Sequence, residues 1–277
     1  MKYIELPDGE RVPALGQGTW HMGERVQDRQ REIAAVRAGI DAGLTLIDTA
    51  EMYADGGAER IVGKAMGDRR GELFVVSKVF PHNASRSGIR AACEASLERL
   101  GTDRLDLYLL HWRGGANLGE AVAGFEDLRR EGLIRYWGVS NFDETDLADL
   151  WAVSGGENCS ANQLLYHLGQ RTIEQDPLPW MRARRLPAMA YCPLGQGRLL
   201  NEPALRDFAE RNGMTPAQAA LSWLQSHEDV IAIPKTSDTD RQVENRAAAE
   251  ITLDQNQLAE LDGLFPAPRE RSPLPIV

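Results

Sequence analysis

The sequence predicts a single domain over residues 1–277 that folds as a parallel (β/α)8 barrel, and two observations support this α/β fold class. Short apolar segments typical of buried strands recur at intervals of roughly 30 residues, the length of one strand and helix unit. There are eight such segments, and segments with helical periodicity lie between them. Strands that alternate with helices in this way favour a closed TIM barrel, a fold that commonly reaches this length as one domain.

The first predicted element is an N-terminal β-hairpin. Two short segments, Lys2–Leu6 and Arg11–Pro13, flank Asp8-Gly9. Asp-Gly between apolar segments is a strong hairpin signal, because both residues tolerate the backbone angles of a tight turn. We expect the hairpin to cover one end of the barrel as a lid or plug.

The barrel elements follow in regular order. The predicted strands are Ala14–Gly18, Thr45–Asp48, Leu73–Lys78, Leu105–His111, Ile134–Ser140, Ser160–Leu164, Pro187–Tyr191 and Val230–Ile233. The predicted helices between them are Gln30–Ala42, Ala58–Met66, Ser87–Leu100, Leu118–Glu131, Glu144–Val153 and Pro177–Arg184.

Additional helices are predicted near the C-terminus. After a helix over Pro203–Arg211, Thr215 and Gln218 form a capping box with a proline at the first helical position, which predicts a helix to about Ser226. A second box, Thr252 with Gln255, predicts a last helix that ends near Phe265. The proline-rich residues 266–277 are expected to be irregular and to lie on the surface.

Composition excludes several classes of protein. A net charge of −10 disfavours nucleic acid and anionic membranes as partners, because both require a basic surface. The three cysteines, Cys93, Cys159 and Cys192, are widely spaced, which predicts neither a disulfide framework nor a metal site. The N-terminus lacks a signal-peptide pattern and no apolar run approaches a membrane span, so we expect a cytoplasmic protein.

Polar residues occur where three neighbouring strands end. Asp48 ends the second strand, with Tyr53 five residues later, Lys78 ends the third strand, and His111 ends the fourth. In parallel barrels the carboxyl ends of the strands meet at one face, where catalytic residues lie. We therefore expect these four side chains to form one proton-donating site.

The chemistry of these residue types supports that interpretation. A tyrosine hydroxyl has a pKa of about 10, and an adjacent ammonium such as Lys78 is expected to lower it by stabilising the phenolate. Asp48 would neutralise the lysine, and His111 would orient a carbonyl oxygen towards Tyr53. Taken singly, Asp48 is more often a helix cap, Lys78 a solvated charge and His111 a structural histidine; their recurrence at successive strand ends favours a shared site.

The chain resembles the aldo-keto reductase family over nearly its whole length. The resemblance rests on LTLIDTAEMYADGGAERIVGKAM (residues 44–66), FVVSKVF (74–80), LDLYLLHW (105–112) and GVSNF (138–142). It implies that Asp48, Tyr53, Lys78 and His111 are the family's catalytic tetrad. Tyr53 would then be the general acid that protonates a carbonyl oxygen while a nicotinamide hydride attacks the carbon.

A nicotinamide cofactor would have to be bound without a Rossmann fold. Gly16-Gln-Gly18 does not complete the G-x-G-x-x-G pattern of dinucleotide-binding turns. Ser140, Asn141 and Gln163 offer groups that can pair with a carboxamide, and the resemblance assigns them this role, with Tyr191 stacking on the nicotinamide. Alternatively, Asn141 caps the following helix.

The residues after the eighth strand, IPKTSDTDRQVEN (233–245), suggest a phosphate site. Lys235, Thr236 and Ser237 lie at the strand end and Arg241 lies one turn into a helix, where cations, hydroxyls and N-terminal amides favour a dianion. Alternatively, this segment is an exposed helix start with ordinary surface Lys and Arg side chains. The resemblance assigns the 2′-phosphate of NADP to Lys235, Thr236 and Arg241, which predicts a preference for NADPH. It assigns the adenine to Glu244 and Asn245, and the pyrophosphate to the glycine-rich loop 194–200, with Leu194 and Gln196.

Trp20, Phe80 and Trp112 follow strands one, three and four and are expected to form the substrate pocket. The chain ends soon after its last helix, which suggests an open site. The resemblance extends to bacterial members that reduce methylglyoxal and other small dicarbonyls or aldehydes, although NQLLYHLGQR (162–171) departs from the family's NQ-x-E-Y-H-P. A Schiff-base lyase that uses Lys78 and a cofactor-binding redox sensor are alternatives. A monomer is the simplest expectation.

Overall fold

The computed structural model describes residues 1–277 and contains a barrel of eight parallel strands surrounded by helices. The strands of the barrel are β3 (Gln17–Gly18), β4 (Leu46–Asp48), β5 (Phe74–Val79), β6 (Leu105–Leu110), β7 (Ile134–Ser140), β8 (Asn162–Leu165), β9 (Ala188–Tyr191) and β10 (Val230–Ala232). Each pairs in parallel with the next along the chain. Parallel bridges from Leu15 to Ala232 and from Gly18 to Lys235 join the first strand to the last, so the barrel is closed as predicted.

The N-terminal hairpin closes the amino end of this barrel. β1 (Tyr3–Glu5) and β2 (Arg11–Pro13) pair antiparallel, and Gly9 in the turn has a φ of 95°. The hairpin buries Ile4, Leu6 and Val12 in the same apolar cluster as the barrel interior. The predicted hairpin is therefore confirmed, and it is a plug.

The interior of the barrel follows the two-residue period of the strands. Inward-facing side chains of successive strands form one cluster with the hairpin; its barrel members are Leu46, Phe74, Val76, Leu107, Leu109, Ala161, Met189, Ile231 and Ile233. Because alternate residues of a strand point to the same side, the next inward position on each strand falls at the carboxyl end of the barrel.

Ten helices cover the barrel, and most of their apolar faces contribute to a larger outer cluster of 59 residues. They are α1 (Arg29–Asp41), α2 (Gly57–Met66), α3 (Arg86–Leu100), α4 (Leu118–Arg130), α5 (Glu144–Trp151), α6 (Leu178–Arg182), α7 (Pro203–Arg211), α8 (Pro216–Ser226), α9 (Thr239–Ala247) and α10 (Gln255–Leu264). None of them has the length and apolar character needed to cross a bilayer.

The two predicted capping boxes had different outcomes. The box of Thr215 and Gln218 is present and starts α8 at Pro216. The box of Thr252 and Gln255 was wrong, because the carboxylate of Asp254 accepts from the amide of Gln257 and starts α10 at Gln255. An aspartate at this position also interacts favourably with the positive end of the helix.

The C-terminal residues 266–277 contain no helix or strand, as predicted. They also lie on the surface, as predicted, since none of them is buried. Leu274 packs against the outer core, and the exposed Ile276 and Val277 border the cavity at the carboxyl end of the barrel.

Candidate active site

A single large cavity opens at the carboxyl end of the barrel, and it has a volume of about 980 Å³. Asp48, Tyr53 and His111 lie in its wall at the centre of the barrel, and Arg241 and Glu244 lie in its wall on α9. One continuous space therefore joins the predicted catalytic residues to the predicted phosphate site.

The barrel interior explains why these side chains meet. The inward-facing series of each strand continues past its apolar residues into a polar one: Leu46 to Asp48, Val76 to Lys78, Leu109 to His111, Ala161 to Gln163, and Met189 to Tyr191. The same alternation that fills the barrel with apolar groups thus delivers its last layer to the floor of the cavity.

Lys78 is the centre of the hydrogen-bonded group. Its amine is fully buried and donates to Asp48 Oδ2 at 2.7 Å, to the carbonyl oxygen of Thr49 at 2.8 Å and to the hydroxyl of Tyr53 at 3.1 Å. It is therefore not a solvated surface charge, and Asp48 is not a helix cap. The predicted carboxylate, ammonium and phenol lie in one contiguous arrangement.

Burial and pairing act in opposite directions on the two charges. Burial raises the pKa of Asp48 and lowers the pKa of Lys78, and the attraction between the two groups opposes both shifts. A buried ion pair of this kind depends on both partners, since removing either leaves an uncompensated charge away from water.

The predicted direction of the Tyr53 pKa was wrong. Although Tyr53 is partly exposed to the cavity, burial of the phenol, followed by the charge of Asp48, raises its pKa well above the ordinary value. The ammonium of Lys78 is shared between Asp48 and the phenol oxygen, and its hydrogen bond to Tyr53 does not reverse this rise. Tyr53 therefore holds its proton firmly at neutral pH, which is the protonation state a proton donor needs.

His111 lies beside the phenol, with ring centroids 5.8 Å apart in an edge-to-face arrangement. Burial, and then the charge of Lys78, lowers the pKa of His111 to about 2, so the imidazole is neutral. Its Nδ1 is buried without a hydrogen-bond partner. Nε2 is therefore the ring nitrogen available to a group in the cavity.

The predicted carboxamide site forms the wall next to Asp48. Ser140, Asn141, Gln163 and Tyr191 all line the cavity. The hydroxyl of Tyr191 donates to Asn141 Oδ1 at 3.0 Å, and Asn141 Nδ2 donates to Ser140 Oγ at 3.1 Å. Asn141 does not cap the following helix, because Asp143 does so. Its φ of 59° is a left-handed conformation unusual for a residue other than glycine, and such backbone strain is common at functional sites.

The predicted phosphate site is only partly as expected. Lys235, Thr236 and Arg241 line the cavity together with Glu244 and Asn245, whereas Ser237 does not. The amides at the start of α9 are not free either, since those of Asp240 and Arg241 donate to Asp238 Oδ1 at 2.9 and 3.1 Å. Binding of an anion here would therefore rely on side chains rather than on the helix terminus.

The loop after β9 borders the same space. Leu194, Gln196, Gly197 and Leu200 line the cavity, and Gln196 has a φ of 55°. Gly195 lies against the imidazole of His167, which would be 3.4 Å from an added Cβ. The histidine of the unusual NQLLYHLGQR segment thus supports the loop from outside the cavity.

Of the predicted substrate residues, Trp20 and Trp112 line the cavity and Phe80 does not. The ring of Phe80 packs edge-to-face against Trp112, with centroids 5.8 Å apart, and supports it from behind. Sequence reasoning missed His21, Met52 and Cys192, which also line the cavity. Each of the three adjoins a predicted site residue in sequence, which was the available signal. The left-handed backbone of His21 and Cys192 had no signal in the sequence.

The three cysteines are free, and no cluster of His, Cys, Asp or Glu side chains is arranged to hold a metal ion.

The Aldo/keto reductase family model matches residues 14–265 of the chain. The chain belongs to the aldo/keto reductase family.

Similar proteins agree with this assignment over the full length of this aldo/keto reductase. Methylglyoxal reductase YeaE of Escherichia coli K12 is 49% identical over 281 residues, which span 100% of this chain and 99% of that protein. A crystal structure of an aldo-keto reductase from Klebsiella pneumoniae in complex with NADPH has a TM-score of 0.96 at 49% identity, covering 100% of this chain and 99% of its own. A second Klebsiella pneumoniae structure, in complex with NADP and acetate, has a TM-score of 0.97 at the same identity and coverage.

Proposed function

We propose that this protein reduces small aldehydes and ketones to alcohols with NADPH, and that methylglyoxal and other small dicarbonyls are its substrates. The observation that carries the proposal is the hydrogen bond from Lys78 to the hydroxyl of Tyr53 at the floor of the cavity. The methylglyoxal reductase relative supports the substrate class, and the structures with NADPH and NADP support the cofactor.

The residues of the cavity fit such a cofactor. Ser140, Asn141 and Gln163 present hydroxyl and amide groups suited to a carboxamide, with the ring of Tyr191 beside them. Lys235 and Arg241 provide two cations in the same cavity, in a chain whose net charge is −10, and guanidinium and ammonium groups pair well with phosphate. When bound, NADPH supplies the hydride for the carbonyl carbon.

The chain itself would supply the proton and the orientation. Tyr53 holds its proton at neutral pH and would donate it to the carbonyl oxygen as negative charge develops there. Lys78 donates a hydrogen bond to the same phenol oxygen and so stabilises the phenolate left behind. The neutral His111 would donate from Nε2 to the carbonyl oxygen and hold it near Tyr53.

Two features argue against a Schiff-base lyase. Lys78 is fully buried and does not line the cavity, and its amine is engaged by three acceptors. Borohydride trapping with a carbonyl substrate, followed by mass spectrometry, tests this alternative. We expect no adduct on Lys78, and an adduct there would replace the reductase proposal.

The direct test is NADPH oxidation measured with methylglyoxal, glyoxal and aromatic aldehydes. We expect turnover with the dicarbonyls; binding of NADPH without turnover of any carbonyl would favour the redox-sensor alternative. Tyr53→Phe should lower turnover by roughly 10² or more and leave NADPH binding intact. Tyr136→Phe is a matched control, because it removes a hydroxyl that bonds Asp8 and Glu10 at the opposite end of the barrel.

A further inference from the structure

The side chain of Gln163 contacts the catalytic ion pair directly. Its Nε2 donates to Asp48 Oδ1 at 2.7 Å, and both residues are only 2% exposed. A carboxylate can only accept hydrogen bonds, so this contact fixes which end of the amide faces Asp48. Asp48 is thereby held by Gln163 on one oxygen and by Lys78 on the other.

The opposite end of the same amide faces the cavity. Gln163 lines the cavity wall, and its Oε1 accepts no hydrogen bond within the protein. One hydrogen of Nε2 is committed to Asp48 and the other faces Met189 Sδ at 4.0 Å, so the group left for a ligand is the acceptor Oε1. The complementary group is an N–H donor, such as the amino group of a carboxamide.

We propose that Gln163 is a positioning residue that transmits occupation of the cofactor site to the chain Asp48, Lys78 and Tyr53. A donor bound at Oε1 polarises the amide and strengthens its hydrogen bond to Asp48, since hydrogen bonds in series reinforce one another. The carboxylate that holds Lys78 is then fixed more firmly when the cofactor is present. This inference rests on the proposed function and adds a coupling between cofactor and proton donor.

The charge environment of Asp48 makes the coupling measurable. Lys78 faces it from β5, Tyr53 from the loop after β4 and Gln163 from β8, with the neutral His111 of the neighbouring strand beside Tyr53. Burial raises the pKa of Asp48, and the charge of Lys78 and the hydrogen bonds of Lys78 and Gln163 oppose that rise. Loss of the Gln163 hydrogen bond should move the pKa of Asp48 upward.

The experiment follows the Asp48 carboxyl resonance by NMR against pH, without and with NADPH, in the wild type, Gln163→Met and Ser140→Ala. In the wild type, NADPH should lower the Asp48 midpoint. Gln163→Met should raise the midpoint of the cofactor-free protein by about one unit and abolish the response to NADPH. Ser140→Ala, which alters the same wall without touching Asp48, should weaken NADPH binding yet keep the response.

Kinetics provide a second readout. The acid limb of the pH profile of kcat, at saturating NADPH, should move to higher pH in Gln163→Met and stay in place in Ser140→Ala. Unshifted Asp48 titration in Gln163→Met, with only weaker NADPH binding, would show that Gln163 is merely a cofactor contact and would overturn the inference. If Gln163→Met does not fold, Gln163→Glu replaces it; its carboxylate should raise the Asp48 midpoint further by repulsion.

The proposed function can fail separately. A wild type that binds NADPH and shows the Asp48 response, but reduces no carbonyl, would leave the coupling in place and refute the reductase activity. Carbonyl turnover with an Asp48 titration that ignores NADPH would do the reverse.

Discussion

The two ends of the barrel use similar residues for opposite purposes. At the amino end, the carboxylate of Asp106 is 2% exposed and forms an ion pair with Arg70 at 2.7 Å. It accepts hydrogen bonds from Arg135 at 3.0 Å and from the amide of Val75 at 2.8 Å. Arg135 also pairs with Glu10 of the hairpin. At the carboxyl end, Asp48 is equally buried but has only one cation, Lys78, which also donates to the phenol of Tyr53 in the cavity wall.

The difference shows what a buried carboxylate is used for. Neither Asp106 nor any of its partners lines the cavity, and the hairpin seals the barrel beneath them, so this network stabilises the fold. Around Asp48, His111 Nδ1 lacks a partner and Asn141 has a left-handed backbone. Unsatisfied groups and strain cost stability, and they tend to persist where binding or catalysis requires them.

The largest expected effect comes from removing one cation at each end. Lys78→Met should lower turnover by about 10² or more, because Tyr53 loses its hydrogen-bond donor and Asp48 is left buried without a counter-ion. Arg70→Met removes a cation from Asp106, which keeps Arg135, and should leave turnover unchanged while lowering the free energy of unfolding by about 1–3 kcal/mol. Steady-state kinetics and urea unfolding measure both. Equal losses of activity would mean that the two ends are not functionally distinct.

A smaller effect is expected when an apolar side chain is truncated at each end of the barrel. Ile4→Ala truncates a side chain of the hairpin that is 2% exposed in the barrel core. It should destabilise the protein by about 2–5 kcal/mol and leave KM for a dicarbonyl unchanged. Met52→Ala, at a residue 40% exposed in the cavity wall, should change stability by less than about 0.5 kcal/mol but alter KM. Thermal unfolding and steady-state kinetics of both variants measure these effects. A changed KM in Ile4→Ala, or a large loss of stability in Met52→Ala, would contradict the prediction.

The same division explains how much could be predicted from the sequence. The strands, the hairpin and the positions of Asp48, Lys78 and His111 follow from local periodicity, because an inward series of apolar residues that ends in a polar one is visible in the sequence. The place of Phe80 behind Trp112 depends on a contact between two strand ends that no local pattern specifies. The capping of α9 by Asp238 is a local contact, and the aspartate before the helix was a signal that the phosphate interpretation passed over. The pKa of Tyr53 depends on how completely the fold excludes water around the phenol, which the sequence does not show. The predicted direction of its shift was therefore wrong.

Substitutions at the proposed phosphate site should change cofactor binding and leave the chemical step unchanged. Arg241→Ala removes one of two cations that line it beside Thr236, and should raise the dissociation constant of NADPH about tenfold through loss of a charge-assisted bond. NADH, which lacks the 2′-phosphate, should bind as before. Arg206→Ala, at an exposed arginine of α7 outside the cavity, is the control. Calorimetric titration of both cofactors would contradict the assignment if both weakened together.

The smallest expected effect is the absence of a titration at His111. Its pKa is lowered to about 2, so its imidazole resonance, assigned with His111→Gln, should show no inflection between about pH 5 and 8, where an ordinary histidine titrates.

The lowered pKa of His111 also affects stability. An unfolded chain binds this proton near pH 6.5, whereas the native protein does not. The unfolded state therefore binds more protons below that pH, and stability should be full above about 6.5 and fall as the pH decreases. His111→Gln should make that decline shallower in urea unfolding, and an inflection near neutrality would show that the cavity hydrates His111 more than its burial beside Lys78 implies.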